Sequence, residues 1–386
     1  MPSKVDRQCQ HFAQCHRLIA RENKTGLCAA CYRDARWTAS STATHSHLPP
    51  SAQVEADQAR KRTADQIRSL QARYDEALRT IERQREAMGW LDRLREGVDS
   101  TYHITPQQST GTSEATPIIL ASDWHSEELV RPAQVSGLNQ FNPEVFERRA
   151  TRFFTAALNL ITNHINPGVH VSTVVLALLG DFITNDIHDA ENAENNALLP
   201  VEAILNVQKQ LIAGIELFLN HTAYTLVLPC KVGNHSRTTK KVRSASETGH
   251  SLETLMYAHM AAYFRTEPRV QFVMDDGYHT YLDIYDWKVR FHHGHAIQYQ
   301  GGIGGLFIPA FKAISQWNKA RPANLDLFGH FHQSKDGGNF LCNGSLIGYN
   351  SFALRIKADY EPPQQTLVLI DKKRHKTCTW PIYVDL

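Results

Sequence analysis

The stretch Ile-Ile-Leu-Ala-Ser-Asp-Trp-His, residues 118–125, predicts the fold of the main part of this chain. An apolar run that ends in Asp-x-His is typical of a buried parallel strand whose carboxyl end carries a carboxylate and an imidazole. Four later apolar runs also end in residue types that ligate metals. They end at Asp181, at Asn234 and His235, at His-His-Gly-His (residues 292–295), and at His330 and His332. Because open α/β sheets place their sites at the carboxyl ends of strands, we expect these endings to share one site.

The composition is that of a globular protein with more than one folding unit. The chain has 386 residues, of which 42% are hydrophobic and 21% charged, and its length suggests two or three units. A formal net charge of +2 gives no strong overall attraction for nucleic acid, although residues 1–40 hold seven Lys or Arg against three acids. We find no secretory signal pattern and no run of 18 or more apolar residues, so we expect a cytoplasmic protein without a membrane partner.

Four of the seven cysteines lie close together near the N-terminus. They form the pattern Cys9-x5-Cys15-x12-Cys28-x2-Cys31, and the short second spacing lets two thiolates from one turn bind a tetrahedral zinc ion. Residues 1–37 are therefore predicted to be a zinc-binding knuckle with four cysteine ligands, although His11 or His16 could replace one sulfur. The metal would supply the folding free energy that so small a unit lacks. Interleaved basic and aromatic residues would suit a phosphate backbone, and a protein-docking surface is the alternative.

Between the knuckle and the main domain, the sequence predicts two linkers and a long helix. Residues 38–51 and 98–116 are rich in Ser, Thr and Pro and are expected to be linkers. Residues 52–97 are polar, with apolar residues mostly every three or four positions, which predicts a coiled-coil helix and a homo-oligomer. The alternative is a single helix packed against the enzyme body. The apolar positions are Ile67, Leu70, Tyr74, Ala77, Ile81, Met88 and Leu91.

The main domain, residues 117–386, is predicted to be an α/β fold in which mixed β-sheets are flanked by helices. Strands and helices alternate in its first part, and hairpins follow. Helices are expected at 143–165, 198–220, 251–264 and 309–317. Strands are expected at 171–179, 224–228, 281–285, 288–292, 325–328 and 340–348, with a final hairpin at 366–384 that turns near 371–375.

The candidate site residues have the chemistry of a dinuclear metal centre. Two Asp, one Asn and at least three His can hold two divalent cations if one carboxylate bridges them. Two cations roughly 3.5–4 Å apart can clamp the attacking and leaving oxygens of a displacement at phosphorus, and can ionise water near neutral pH. Mixed imidazole and carboxylate ligands suit Mn, Fe, Zn, Co or Ni.

The ordered set Asp-x-His, Gly-Asp, Gly-Asn-His, His-Gly and Gly-His-x-His resembles the calcineurin-like metallophosphoesterase family over residues 118–348. The resemblance implies the sandwich fold of that family and a role for each residue. One metal would be held by Asp123, His125 and His332, the other by Asn234, His293 and His330, with Asp181 bridging. His235 would steady the phosphoryl oxygens or protonate the leaving group.

Two features depart from the family pattern or leave it ambiguous. The family usually has an acid after Gly-Asn-His, whereas this chain has Ser236 and Arg237, and Arg237 could instead clamp a phosphate directly. In His-His-Gly-His we expect His293 to be the ligand, with His295 as the alternative. Gly-Asn-His-Ser-Arg and His-His-Gly-x-x-Ile also resemble the branch of the family found in bacteriophage genomes.

Three functional hypotheses follow. The first is a two-metal phosphodiesterase acting on nucleic acid, with the knuckle and coiled coil holding the enzyme on the polymer. The second is a phosphatase or phosphodiesterase on a small nucleotide or phosphoprotein, with the N-terminus as a protein-docking module. The third is a non-catalytic scaffold with a decayed metal site, and the presence of every expected ligand type argues against it.

Overall fold

The computed structural model describes residues 7–8, 18–19, 58, 61–76, 78–79, 102–104, 113–187, 194–243, 245–299 and 305–385. The chain divides into two compact units, Met1–Arg85 and Glu86–Leu386. None of the helices in these described ranges is both long enough and apolar enough to cross a membrane.

In the first unit, Arg7–Gln8 pairs antiparallel with Leu18–Ile19. Residues 61–76 are helical and exposed throughout. The apolar side chains predicted to form the coiled-coil stripe are among them, since Ile67, Leu70 and Tyr74 are 51%, 62% and 65% exposed. The four cysteines, the linker at 38–51 and the end of the predicted coiled coil lie outside the described residues.

The second unit contains twelve strands and five α-helices within its described residues. The strands are β1 (Tyr102–Ile104), β2 (Ala115–Ala121), β3 (Thr173–Leu178), β4 (Thr225–Cys230), β5 (Val270–Met274), β6 (Thr280–Ile284), β7 (Trp287–Phe291), β8 (Leu325–Phe328), β9 (Lys335–Asp336), β10 (Phe340–Cys342), β11 (Gln364–Asp371) and β12 (His375–Tyr383). The helices are α1 (Pro143–Asn159), α2 (Pro200–His221), α3 (Leu252–Tyr263), α4 (Phe307–Ala320) and α5 (Ser351–Ile356).

The strands form two six-stranded mixed sheets. In the first sheet the order is β12-β11-β2-β3-β4-β5, with β2 to β5 parallel and the C-terminal hairpin antiparallel to them. In the second sheet the order is β9-β10-β8-β7-β6-β1, in which β7, β8 and β10 are parallel. The predicted sandwich of mixed sheets flanked by helices is confirmed.

Alternate residues of β2 show how the layers pack. Ile118 and Leu120 belong to a buried cluster that joins the two sheets. Ile119 and Ala121 belong to a second cluster, which joins the first sheet to α1, α2 and α3. A third cluster joins α4 to the outer face of the second sheet. Because side chains alternate across a strand and both faces of this sheet are covered, every residue of β2 is buried, and residues 117–121 form a continuous apolar run.

The structure adds elements that the sequence pattern did not predict. The strand β1 lies inside the predicted linker 98–116, where it pairs in parallel with β6 and buries Ile104. The edge strand β5 and the short helix α5 were also missed, because neither is long enough to show a clear period. The predicted strand at 340–348 ends at Cys342, after which the chain runs as a loop towards the site, where Leu346 N–H donates to the Asp123 carbonyl (3.1 Å).

Candidate metal centre and its cleft

Each predicted ligand lies in a loop that directly follows a strand. Asp123 and His125 follow β2, Asp181 follows β3, and Asn234 follows β4. In the second sheet His293 follows β7, while His330 and His332 follow β8. The sheet–sheet packing brings these five loops to one edge of the sandwich, where sites of open α/β sheets are expected.

A buried aromatic residue fixes the direction of the ligands in three of these loops. In Asp-Trp-His the ring of Trp124 enters the core, so the residues on either side of it point the other way. The Trp124 ring lies edge-on to Phe182 with centroids 4.9 Å apart, and Phe182 directly follows Asp181. Phe331 is likewise buried between His330 and His332. The aromatic residues therefore anchor the loops from which the ligands project.

The ligand loops adopt a backbone conformation that is rare outside glycine. Among the described residues ten non-glycine residues have positive φ, and five of them are predicted ligands, with φ between 47° and 73°. Such conformations cost on the order of 1–3 kcal/mol each and concentrate at functional sites. They are Asp123, His125, Asp181, His330 and His332.

Close approach between loops explains the glycines of the motifs. A Cβ on Gly233 would lie 2.0 Å from Asp181 Oδ1, and one on Gly329 would lie 2.3 Å from Asp123 Oδ2. These distances are far inside van der Waals contact, so any side chain would displace a carboxylate. The Gly in Gly-Asn-His and in Gly-His is thus required by the carboxylate of another loop.

Among the described residues, three overlapping groups can bring ligand atoms within 4.8 Å of one another. They are Asp123, His125 and His332; His125, Asp181 and His235; and Asp181, His293 and His330. The first and third groups correspond to the two metal sites predicted from the sequence. Asn234 joins the third, because its Oδ1 lies 3.2 Å from His293 Nε2.

Contacts within these groups are short. His125 Nε2 lies 3.1 Å from His332 Nε2, and His332 Nε2 lies 3.5 Å from Asp123 Oδ1. Asp181 uses both oxygens: Oδ2 lies 2.9 Å from His293 Nε2, and Oδ1 accepts the backbone N–H of His235 (2.8 Å). Asp181 is therefore central to the cluster.

The second nitrogen of several imidazoles is held outside the cluster. His293 Nδ1 donates to the Leu179 carbonyl (2.7 Å) and His235 Nδ1 donates to the Thr184 carbonyl (2.9 Å). A carbonyl can only accept, so in the neutral rings the Nε2 lone pair points into the cluster. Metal-bound histidines are commonly oriented in this way, and the arrangement fits a metal centre.

Burial and the two carboxylates control protonation in the cluster. Burial raises the pKa of Asp123 to about 7, although the His293 ring opposes the effect. Burial also acts to raise the pKa of Asp181, but the imidazoles of His293 and His235 outweigh it and hold that pKa well below its usual range. Burial lowers the pKa of His293, but the Asp181 carboxylate overcomes this and raises it to about 10. One ion pair thus holds the centre of the cluster when no metal is bound.

Three further imidazoles, those of His125, His330 and His332, are neutral at physiological pH. Burial lowers the pKa of His332 to about 3, and it lowers the pKa values of His125 and His330 well below the usual value. Neutral imidazole is the form that binds a metal. These three rings need lose no proton on binding one.

Two buried carboxylates that the sequence reasoning missed hold the loops together. Glu253, on α3, accepts the Phe182 N–H through Oε1 (2.8 Å). Its Oε2 accepts the Gly233 N–H (2.8 Å) and the hydroxyl of Ser236 (2.9 Å). Glu253 therefore joins the loop that carries Asp181 to the loop that carries Asn234. A sequence signal for it was Ser236, which stands where the resembled family has an acid.

Glu127 is the second of these two carboxylates, which we call braces. Its Oε1 accepts the backbone N–H groups of Thr184 (2.8 Å) and Asn185 (2.7 Å), three and four residues after Asp181. Glu127 is fully buried, so these hydrogen bonds replace its hydration. Sequence alone gave no sign of it.

Arg237 is not brought into the cluster. Its guanidinium donates to three carbonyls of its own loop, those of Asn234, Thr239 and Lys240. In the described part of the chain, the residues that line the cleft do not include it. These hydrogen bonds stabilise the loop, and the role of Arg237 as a phosphate clamp stays a prediction.

The three histidines of His-His-Gly-His lie in different surroundings. Only His293 of the three belongs to a candidate metal group among the described residues. His292 is buried against Phe328, with ring centroids 4.9 Å apart. His295 Nε2 lies 3.0 Å from a carboxylate oxygen of Glu247. Geometry therefore favours His293 over His295 as the ligand.

A cleft of about 780 Å³ opens above the cluster. Its floor includes His125, Asp181, Asn234, His235, His330 and His332. Aromatic and basic side chains line its walls, among them Tyr299, Phe331, Phe352, Arg355 and Lys357. The cleft is large enough for a ligand the size of a nucleotide or larger.

No family model and no curated protein sequence matches this chain. Solved structures similar to it include a predicted phosphoesterase from Streptococcus pneumoniae, with 13% identity over 68% of this chain and 86% of that one, and a TM-score of 0.27. A hypothetical protein from Pyrococcus horikoshii has 12% identity over 70% and 89% of the two chains, with a TM-score of 0.35. Vps29 from Entamoeba histolytica, solved with Zn²⁺, has 13% identity over 69% and 99%, with a TM-score of 0.27. At these TM-scores the function has to be argued from the site itself.

Proposed function

We propose that this protein is a dinuclear metal-dependent phosphoesterase that hydrolyses phosphodiester bonds in nucleic acid. The observation that carries the enzyme assignment is the convergence of imidazoles and carboxylates from five separate loops, with the ligand atoms of each group within 4.8 Å. So many buried ionisable groups are costly unless they bind a metal or pair with one another.

The donor set fits two divalent cations. Asp123, His125 and His332 would hold one, and Asn234, His293 and His330 the other, with Asp181 between them. Such ions supply Lewis acidity and ionise water near neutral pH. Nitrogen and oxygen donors suit Mn, Fe, Zn, Co or Ni.

His235 is the residue best placed to move a proton. Its Nδ1 is fixed on the Thr184 carbonyl and its ring lies 4.9 Å from that of His125, so Nε2 faces the cluster. Water attacks phosphorus and releases a proton to solvent, and the bond to the leaving oxygen breaks. The imidazolium form of His235 carries a second proton, on Nε2, and gives it to that oxygen. The ring then regains a proton from solvent. Because the backbone holds His235, the ring does not need an acid after it in sequence.

Nucleic acid as the substrate is supported by the basic residues 1–40 and by the basic and aromatic cleft wall. A zinc knuckle at Cys9, Cys15, Cys28 and Cys31 and self-association through the exposed stripe on residues 61–76 belong to the same proposal. Both would add contacts along a polymer and raise affinity through avidity.

The direct experiment measures hydrolysis of labelled single- and double-stranded DNA beside bis-aryl and mono-aryl phosphates, with Mn²⁺ supplied. The Asp181→Ala protein is the control for contaminating nucleases. We expect DNA degradation by the native protein and none by the variant. Cleavage of aryl esters alone would instead support the small-nucleotide or phosphoprotein alternative, and no hydrolysis at all would support the scaffold.

Deletion of residues 1–100 tests the contribution of the N-terminal part. Hydrolysis of a bis-aryl phosphate should survive the deletion, because the described site residues all lie after residue 113. Activity on DNA should fall, and most steeply as salt rises, because phosphate contacts are salt-dependent. Equal activity on DNA with and without these residues would contradict a role in holding the polymer.

A further inference from the structure

The cleft has one wall whose chemistry the metal centre does not use. This wall is α5 with the residue that ends it, and it carries Phe352, Arg355 and Lys357 into the cleft lining. None of the three belongs to a candidate metal group among the described residues. An aromatic ring and two cations therefore lie beside the cluster without a part in holding it.

The wall is held at a fixed position relative to the cluster. Arg149 is buried and donates through Nη1 to the carbonyls of Leu346 (2.9 Å) and Ile347 (2.7 Å), just before α5. The Leu346 N–H donates to the carbonyl of Asp123. Asn350 caps the helix by accepting the Ala353 N–H (3.1 Å). The side chains of α5 are thus presented at a set distance from the catalytic floor.

Phe352 and Arg355 lead away from the cluster, and Lys357 lines the same cleft. The ring of Phe352 lies 5.2 Å from that of His332, at 59°, and is only half-buried. The Arg355 guanidinium carbon lies 5.8 Å from the Phe352 centroid. Lys357 follows at the C-terminal end of α5, and both cations are exposed. Among the described residues, no carboxylate forms a salt bridge with either cation.

We propose that this wall is a subsite for an unstacked base of single-stranded nucleic acid, with Phe352 receiving the base and Arg355 and Lys357 the neighbouring phosphates. The inference rests on the proposed function, because it places the scissile phosphate on the floor. Stacking aromatics combined with a basic groove are the general means of binding single strands. A base inside a duplex is stacked on both faces, so it would have to leave the helix to meet a ring beside His332.

The test removes the Phe352 ring from the protein and the bases from the oligomer, separately and together. Short oligothymidylate is compared with an oligomer of the same phosphates and sugars that lacks every base, using native protein and Phe352→Ala. Two readouts are taken: kcat/KM with Mn²⁺, and binding by fluorescence anisotropy in EDTA, where no cleavage occurs. We expect Phe352→Ala to weaken both readouts about 5- to 100-fold for the oligothymidylate and to change them little for the abasic oligomer.

Matched variants distinguish the loss of base stacking on Phe352 from general damage to the fold. Phe352→Trp keeps a stacking surface and should retain most of the preference for bases. Phe311→Ala removes a half-exposed ring of α4 that is not in the cleft lining and should have no effect. For the cations, Lys357→Ala should reduce the slope of log affinity against log salt by about 0.7, as one lost phosphate contact would. Lys312→Ala, on α4, should leave the slope unchanged.

Equal effects of Phe352→Ala on the two oligomers, or no preference of the native protein for the oligomer with bases, would overturn the inference. These results are distinguishable from failure of the proposed function. If the native protein fails to hydrolyse the bis-aryl phosphate, the phosphoesterase assignment fails, while anisotropy in EDTA still decides whether the wall binds a base.

Discussion

The floor and the α5 wall of the cleft are built in opposite ways. On the floor, Asp123 and Asp181 are almost completely buried, and backbone N–H groups hold their oxygens. On the wall, Arg355 and Lys357 are exposed and Phe352 is half-buried. The fold thus fixes the floor before any ligand arrives, as electrostatic catalysis requires. The backbone of the wall is held in place, but its side chains are exposed and free to contact the substrate. We therefore expect floor variants to change the rate of hydrolysis, and wall variants to change the preference among substrates.

The largest effect within this comparison is expected from His235→Ala. Loss of a positioned proton donor typically reduces the rate about 10²- to 10⁴-fold. Two cations should still bind, because the two predicted ligand sets remain complete. The measurement is kcat for DNA, whose leaving alkoxide needs a proton, and for a bis-aryl phosphate, beside metal content. The loss should shrink for a substrate whose leaving group needs no proton, such as a nitrophenolate, and an equal loss for all leaving groups would contradict the proton-transfer role.

The next effect concerns the brace at Glu253. Glu253→Gln keeps the size of the side chain but turns an NH₂ group towards one of the donors that the carboxylate accepts, Phe182 N–H or Gly233 N–H. The loops that carry Asp181 and Asn234 should shift, and metal affinity should fall about 10- to 100-fold. Titration calorimetry measures this.

Glu147→Gln, at an exposed position of α1, is the matched control and should behave as the native protein. A Glu253→Gln protein with native metal affinity and lower thermal stability would show that the brace supports the fold and not the centre.

A smaller and continuous effect is expected from pH. In the metal-free protein His293, with a pKa of about 10, is protonated below that pH, and it must lose the proton to bind a metal. Affinity should therefore rise about tenfold per pH unit between pH 7 and 9. Below pH 7 the slope should steepen, because Asp123, with a pKa of about 7, then also has to release a proton.

Competition with a chelator at several pH values measures this dependence. His295→Ala should keep the slope, because His295 lies against Glu247 outside the metal groups. Affinity that does not change between pH 7 and 9 in the native protein would contradict ligation by His293.

The floor and the α5 wall also differ in how far the sequence could predict them. The floor was predictable because each ligand follows an apolar strand. Four ligands also adjoin a glycine that close packing between loops requires, as Gly233 is required beside Asp181. These constraints act on neighbouring residues and therefore leave a recognisable pattern in the sequence. The positions of most strands and helices along the chain followed from periodicity for the same reason.

The wall and the braces were not predictable, because they depend on contacts between distant segments. Glu253 acts on Phe182, 71 residues away, and nothing near either residue indicates the pairing. The helix α5 has six residues, too few for a helical period to be distinguished from a loop. For Arg237, the position after His235 suggested a phosphate contact, but the sequence gave no sign that its guanidinium also donates to carbonyls of its own loop.

The most direct test of the dinuclear centre is metal content and hydrolysis of a bis-aryl phosphate, measured on the same samples of native and Asp181→Ala protein after Mn²⁺ loading and gel filtration. We expect two ions per chain in the active site of the native protein, with both proteins prepared without residues 1–100 so that only this site is counted. We expect fewer than two ions in the variant, with hydrolysis reduced to the rate in buffer. An Asp181→Ala protein that keeps both ions and hydrolyses the ester normally would show that Asp181 does not join two metals in a catalytic centre.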